Sequence, residues 1–292
     1  MNDYILSRDG LMNRVVATLC FCALLTNWTG SSAQPALGIP SQRVARLEIF
    51  YPEFSPYPAS RKALDVVTVD GKETQFVAKD TRLFQYDGQQ RLISYKLKQI
   101  AQTDEGQEYG GDTLRNRYSY NNGRMTEVEG GTQRTYEYPL DDTQHRVLTH
   151  TKTGYSYINV DTLRKYSTEG ILTEITTQGS RQVITVAEGN VTKIEQYNVA
   201  SGKLEKVTNF DYDNAHYAPP AQVTFLGEAS RNALNKQTIL DYSFAEGVRT
   251  YTFSYRNQYD NQGRMNQQLE YTEDPTLNQG KAFVSQLRKY YY

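Results

Sequence analysis

The sequence predicts an all-β protein, an antiparallel sheet of consecutive β-hairpins, twisted or curled, with little helix beyond its N-terminal segment. Three observations predict it. A tyrosine–turn–aliphatic unit recurs as Tyr86-Asp87-Gly88-Gln89-Gln90-Arg91-Leu92, Tyr120-Asn121-Asn122-Gly123-Arg124-Met125, Tyr166-Ser167-Thr168-Glu169-Gly170-Ile171-Leu172 and Tyr259-Asp260-Asn261-Gln262-Gly263-Arg264-Met265. Each copy reads as strand end, reverse turn and strand start. Aromatic residues pair at i and i+2, as in Phe84-x-Tyr86, Tyr118-x-Tyr120, Tyr136-x-Tyr138, Tyr155-x-Tyr157 and Phe210-x-Tyr212. That spacing puts both rings on one face of a strand. Finally, Gly, Asn and Asp, which tolerate the positive φ of tight hairpin turns, punctuate the alternating stretches.

In chain order, residues 1–33 read as an export signal. Arg14 is the basic flank, Val15 to Leu25 the apolar stretch and Ser31-Ser32-Ala33 the small-residue cleavage site. Met12 is an alternative start. Residues 34–81 form an N-terminal section: a leader, a strand over Val44 to Tyr51, a Pro-rich crossing from Pro52 to Pro58, and a hairpin about Asp70-Gly71. Residues 82–292 form the repeat domain. Within it, Ala101 to Asp112 reads as a long Gly-rich loop, Asn214 to Ala221 and Asp274 to Lys281 as irregular crossings, and Phe283 to Tyr292 as the last strand. The tyrosines at 120, 138 and 157 recur roughly every 18 to 20 residues, two strands and two turns apart, and define a possible aromatic surface of Tyr120, Tyr138 and Tyr157.

The Tyr259 to Met265 segment resembles the YD repeat of large secreted bacterial wall-associated and toxin-shell proteins. The second half, through Gly189 to Ile194, Phe210-Asp211-Tyr212-Asp213, Pro219-Pro220, Ser230-Arg231-Asn232 and Tyr251 to Glu270, is similar to small exported bacterial domains of unknown function related to that repeat. The resemblance implies hairpin architecture from about Arg82 onward. The toxin-shell role does not carry over, because Asp274-Pro275-Thr276-Leu277 lacks the Gly of the self-cleavage element and little chain follows it.

Both cysteines, Cys20 and Cys22, lie in the signal segment. Leu19 and Phe21 precede them where a lipidation site wants a small residue, so they read as part of an apolar signal core. The rest of the chain has no thiol nucleophile, disulfide or thiolate metal site. With 32 basic and 33 acidic residues, the net charge predicts no long-range attraction to nucleic acid or an anionic membrane. The mean hydropathy of −0.68 suits a sheet with much of its surface wet.

No motif for catalysis, a cofactor or a metal is found. His145, His150 and His216 lack a zinc spacing, and Asp211-Tyr212-Asp213-Asn214 lacks the Gly and Glu of a calcium loop. Nucleophile elbows, dinucleotide fingerprints and phosphate loops are absent. The sequence therefore reads as an exported, non-enzymatic scaffold or binding surface of the cell envelope, in the periplasm, at the surface or outside. Its expected partner is a protein or glycan, with no transmembrane span in the mature chain. A glycan-binding or glycan-active module with a Tyr-lined groove is the alternative. An outer-membrane barrel is prompted by Tyr290-Tyr291-Tyr292, but the strands read as too short and polar for it.

Overall fold

The computed structural model describes residues 42–52, 63–102, 107–143, 145–153 and 159–292. The signal segment with Cys20 and Cys22, and Tyr155 and Tyr157, lie outside the described residues. The strands are β1 (Arg46–Pro52), β2 (Asp65–Val69), β3 (Lys72–Tyr86), β4 (Leu92–Gln102), β5 (Glu108–Asn121) and β6 (Arg124–Glu129). Then come β7 (Thr135–Pro139), β8 (Thr149–Thr153), β9 (Asn159–Tyr166), β10 (Leu172–Thr176), β11 (Ser180–Ala187) and β12 (Asn190–Asn198). The chain ends with β13 (Leu204–Tyr217), β14 (Asn232–Asp241), β15 (Arg249–Tyr259), β16 (Met265–Glu273) and β17 (Phe283–Tyr291).

All strand pairs are antiparallel, and the sheet closes. From β3 to β7 and from β8 to β17 each strand pairs with the next in sequence. β1 completes the ring by pairing with β17 on one side and β3 on the other. β7 and β8 meet at the Leu140–Val147 bridge, where the Leu148 N–H also donates to the Pro139 carbonyl. Closure removes the edge strands that a curled open sheet would expose.

Two readings need correction. Ala101 to Asp112 is not a long loop: β4 runs to Gln102 and β5 starts at Glu108. Its glycine serves close packing, because a Cβ on Gly110 would stand 2.0 Å from the Gln99 carbonyl oxygen. The crossing placed at Asn214 to Ala221 lies further on, because β13 continues to Tyr217 and residues 218–231 leave the sheet.

The strand period divides the wall into two faces. The inner face carries Leu47, Ile49, Phe84, Leu92, Met125, Tyr138, Ile184, Ile194, Phe210, Phe253 and Tyr290, all buried. Outside, the β2–β3 hairpin folds across β1, β17 and β16, and its Val67, Val69 and Phe76 cover Phe50, Leu287 and Leu269. Ion pairs fasten it: Asp65 to Lys289, and Asp70 to Arg256 at 2.6 Å. Elsewhere charged side chains such as Lys165, Glu174, Arg181 and Lys193 share the outer face with exposed Leu83 and Leu163.

Candidate functional site

The recurrent turns gather at one end of the barrel, and three turns there share one chemistry. In the turn after β3, the Asp87 carboxylate accepts from the Gln89 and Arg91 N–H groups and from Arg91 Nε. Asp260 repeats these contacts with Gln262 and Arg264. Asp141 accepts likewise from the His145 and Arg146 N–H groups and from Arg146 Nη1, in a copy where Leu140 replaces the aromatic residue. Burial alone would push these three carboxyls up, but the N–H groups and guanidiniums hold all three below the usual carboxylate range. The positive φ expected at Gly88 falls instead on Gln90, in the position that Gly263 and Gly170 occupy in their copies.

Each arginine then stacks on the tyrosine of the following hairpin. Arg91 lies 4.4 Å from the Tyr120 ring, Arg264 4.7 Å from Tyr292, and Arg146 5.8 Å from Tyr166. The tyrosine hydroxyl donates to the carbonyl of the aliphatic residue beside that arginine: Tyr120 to Leu92 at 2.8 Å, Tyr166 to Val147 at 2.9 Å, Tyr292 to Met265 at 2.9 Å. Tyr212 to Val191 and Tyr86 to Val44 follow the same rule without the acidic turn. The repeat thus ties each hairpin to its neighbour. Its buried Leu92, Met125, Leu172 and Met265 point inward.

Residues 218–231 close this end. Arg43 donates to the Ala221 carbonyl, Tyr86 to that of Gln222, and the Leu92 N–H to Thr224 Oγ1. The Val147 N–H donates to Phe225 O, Glu228 N–H to Gly170 O, and Arg231 N–H to Gly189 O. Phe225 stands 5.0 Å from the Tyr118 ring. The segment therefore touches β3, β4, β5 and the turns before β8, β10 and β12. It joins three of the hydrophobic clusters, through Ala229 and Leu226, Val223 and Phe225. The Glu228 carboxyl is raised by burial against the pull of Arg43 and Arg146. A small cavity beside the segment, lined by Ile184, Phe210, Leu234, Met265, Gln268 and Tyr290 among others, has no charged side chain in its wall.

Away from the plug the interior is filled by a polar network. Arg288 is 4% exposed and bonds Gln268, Glu270 and Gln286. Burial alone would lower its pKa, but Glu270 at 2.7 Å more than offsets this and raises it. Asp80 accepts from Tyr51 and Gln99 across the neighbouring strands, and Tyr138 and Asn116 share Glu127.

Of the tyrosines singled out from the sequence, Tyr120 and Tyr138 share the inner face but sit on either side of Met125 rather than on each other. Tyr138 is 2% exposed and stacks on Tyr136 at 6.5 Å. Tyr157 lies outside the described residues. His145 is an exposed turn residue. His216 stacks on Tyr259 at 4.1 Å and bonds Asp213. Among the described residues no group of three or more His, Cys, Asp or Glu could hold a metal ion. No helix among them is long and apolar enough to cross a membrane.

A closed, plugged ring of consecutive hairpins can be compared with known proteins. The fold is similar to that of a porin-like protein from Bacteroides uniformis ATCC 8492. The match has a TM-score of 0.59 at 14% identity and covers 86% of this chain and 98% of that one. A porin-like protein from Bacteroides vulgatus ATCC 8482 matches with a TM-score of 0.46 at 11% identity, over 86% of this chain and 98% of that one. No family model and no curated relative matches.

Proposed function

We propose that the protein is an exported, non-enzymatic β-barrel of the cell envelope, a scaffold or binding surface that works through its outer wall and rims. The observation that carries this reading is the closed interior. Residues 218–231 are bonded to turns and strands around the mouth, and the Arg288–Glu270 network fills the space behind. Contacts that cap one mouth of the ring and pair its interior charges argue against an open pore. Paired carboxylates that could do acid–base work are tied to arginine, tyrosine or amide partners instead of facing a cleft.

The outer wall weighs against a lipid-embedded barrel. Lys165, Glu174, Arg181, Lys193 and Glu195 stand on it, and an Arg or Lys facing the bilayer midplane costs roughly 2–4 kcal/mol. Strand length does not decide the matter, because β3 has 15 residues and β5 and β13 have 14. We also place the Asp–Arg–Tyr turn unit with the YD repeat, whose sequence form it shares. The glycan alternative draws less support, since the repeat tyrosines spend their hydroxyls on backbone carbonyls.

The test combines cell fractionation with planar-bilayer recording on the purified chain. Recovery outside the cytoplasm and a silent bilayer are expected. Discrete conductance steps from the intact protein, or retention in the cytoplasm, would sink the reading.

A further inference from the structure

The cavity beside the plug has a volume of about 40 Å³ and three walls. Ala218, Pro219 and Ser230 form the first, at the points where residues 218–231 leave the sheet and rejoin it. Ile184 on β11, Ile194 on β12 and Phe210 on β13 form the second, and Met265 on β16 with Tyr290 on β17 the third. The side chains of the second and third walls are all buried. The two limbs of the plug are clasped above the cavity. The Ala218 N–H donates to the Arg231 carbonyl at 3.1 Å, and Asn232 Nδ2 to the His216 carbonyl at 3.3 Å. The cavity therefore lies between the neck of the plug and the inner face of the barrel.

The polar groups of the wall are engaged with one another. Tyr212 donates its hydroxyl to the Val191 carbonyl at 2.6 Å. Ser230 Oγ accepts from the Val191 N–H at 3.1 Å and stands 2.7 Å from the Tyr212 hydroxyl. Asn232 exchanges two bonds with Asn190. Gln268 accepts from Arg288 and donates to Asn257, and Arg288 also lies beside the Tyr290 hydroxyl. A water needs roughly 10–15 Å³ of such space, which the cavity has, but it also needs 2–4 polar partners, which this wall has already paired. A dry void forfeits the dispersion contacts of its lining, so an apolar occupant is favoured over an empty site. An apolar cavity of about 150 Å³ takes benzene. This one is under a third of that size and has no charged side chain in its wall, so it suits an uncharged apolar molecule well below benzene in bulk.

We propose that this cavity binds a small uncharged apolar molecule, and that its occupancy fastens the neck of the plug to the barrel wall. The proposal goes beyond the envelope reading and does not depend on it. Xenon is the probe, followed by methyl and amide NMR of the purified chain under increasing gas pressure. Saturable shifts are expected at the methyl groups of Ile184, Ile194 and Met265. Amide exchange should slow at Ala218 and Arg231, whose N–H groups bond across the neck and to the Gly189 carbonyl. Ala218→Val fills the cavity from the neck and should abolish the xenon shifts. Leu234→Ala enlarges it from the wall, and should keep them and admit benzene, which the parent refuses. Thermal melts establish which variants fold, and Val191→Ile fills the same space should Ala218→Val not fold. Water-to-methyl magnetisation transfer at these methyls, absence of saturable shifts, or shifts undiminished in a folded filled variant would each overturn the site. Saturable shifts with unchanged exchange at Ala218 and Arg231 would overturn its link to the plug.

Discussion

The two ends of the barrel are built differently. At one end the turns of Asp87, Asp141 and Asp260 repeat one set of contacts, each arginine carries the next tyrosine, and residues 218–231 lie across the mouth. At the other end the connections after β14 and β16 use a smaller device, Asp241 and Asp274 each accepting from the N–H and hydroxyl two residues on, with no arginine stacked on a tyrosine in either set of contacts. Asp274 there accepts from Thr276, and Tyr242, Val199 and Val248 are exposed. The repeat in the sequence is therefore the signature of one end, not of the whole wall. Its function is mechanical coupling between neighbouring hairpins, which a plug can then grip.

The largest expected effect lies between the ends, at Arg288. Replacing it by Met leaves Glu270 buried without its cation, and breaking such a pair costs about 3–5 kcal/mol. Chemical denaturation of Arg288→Met measures this. The double change Arg288→Met/Glu270→Leu should recover much of the loss. A single variant as stable as the parent would show that the interior is wetter than its packing indicates.

Phe225 comes next and tests whether the plug organises the capped end. The ring touches Tyr118 and lies against two clusters. Phe225→Ala should cost about 2–4 kcal/mol through the cavity it leaves. Hydrogen exchange should then quicken at the turns after β3, β5 and β9 and stay unchanged at those after β10 and β12. Uniform quickening would mean that the two ends are not separable units.

How much of this was legible in the sequence follows the same division. The paired aromatics and the Gly/Asn turns gave the strands and the hairpin order, because period and turn chemistry are local. Closure was not legible. It depends on β1 pairing with both β3 and β17, a contact between chain ends with no local mark. The copy at Asp141 was hidden because Leu140 stands where the others have tyrosine and its turn is one residue longer, with Asp141 and Arg146 five apart instead of four. The plug read as a plain crossing, since its partners Leu92, Val147 and Gly170 are distant in sequence.

The acidic turns predict a pH dependence concentrated at the capped end, where three depressed aspartates gather against Asp241 in the turn after β14 at the other. Asp87, Asp141 and Asp260 have depressed carboxyls in the folded state, so their stabilisation is complete above the unfolded value, near pH 4, and fades as pH falls through the folded values. Glu228, raised by burial, acts in the opposite sense. In a Glu228→Gln background, acidification below about pH 4 should therefore loosen the capped-end amides first. Hydrogen exchange that loosens both ends together would contradict the division.

The smallest effect gives the sharpest comparison, because it uses one residue type at both ends. Asp260 accepts two N–H groups and the Arg264 guanidinium, and that arginine supports Tyr292. Asp260→Ala should cost about 1–2 kcal/mol, since it strands two turn donors and frees the arginine from its stack. Asp274 also closes a turn, bonding the N–H and hydroxyl of Thr276 at 2.7 and 2.6 Å. Water can replace those bonds, so Asp274→Ala should cost no more than about 0.5 kcal/mol. Thermal melts of the two variants side by side decide the point. Equal losses would mean that the turn itself is what the aspartate stabilises. A clear excess at Asp260 would locate the value of the repeat in the arginine and the tyrosine beyond it, where one hairpin holds the next.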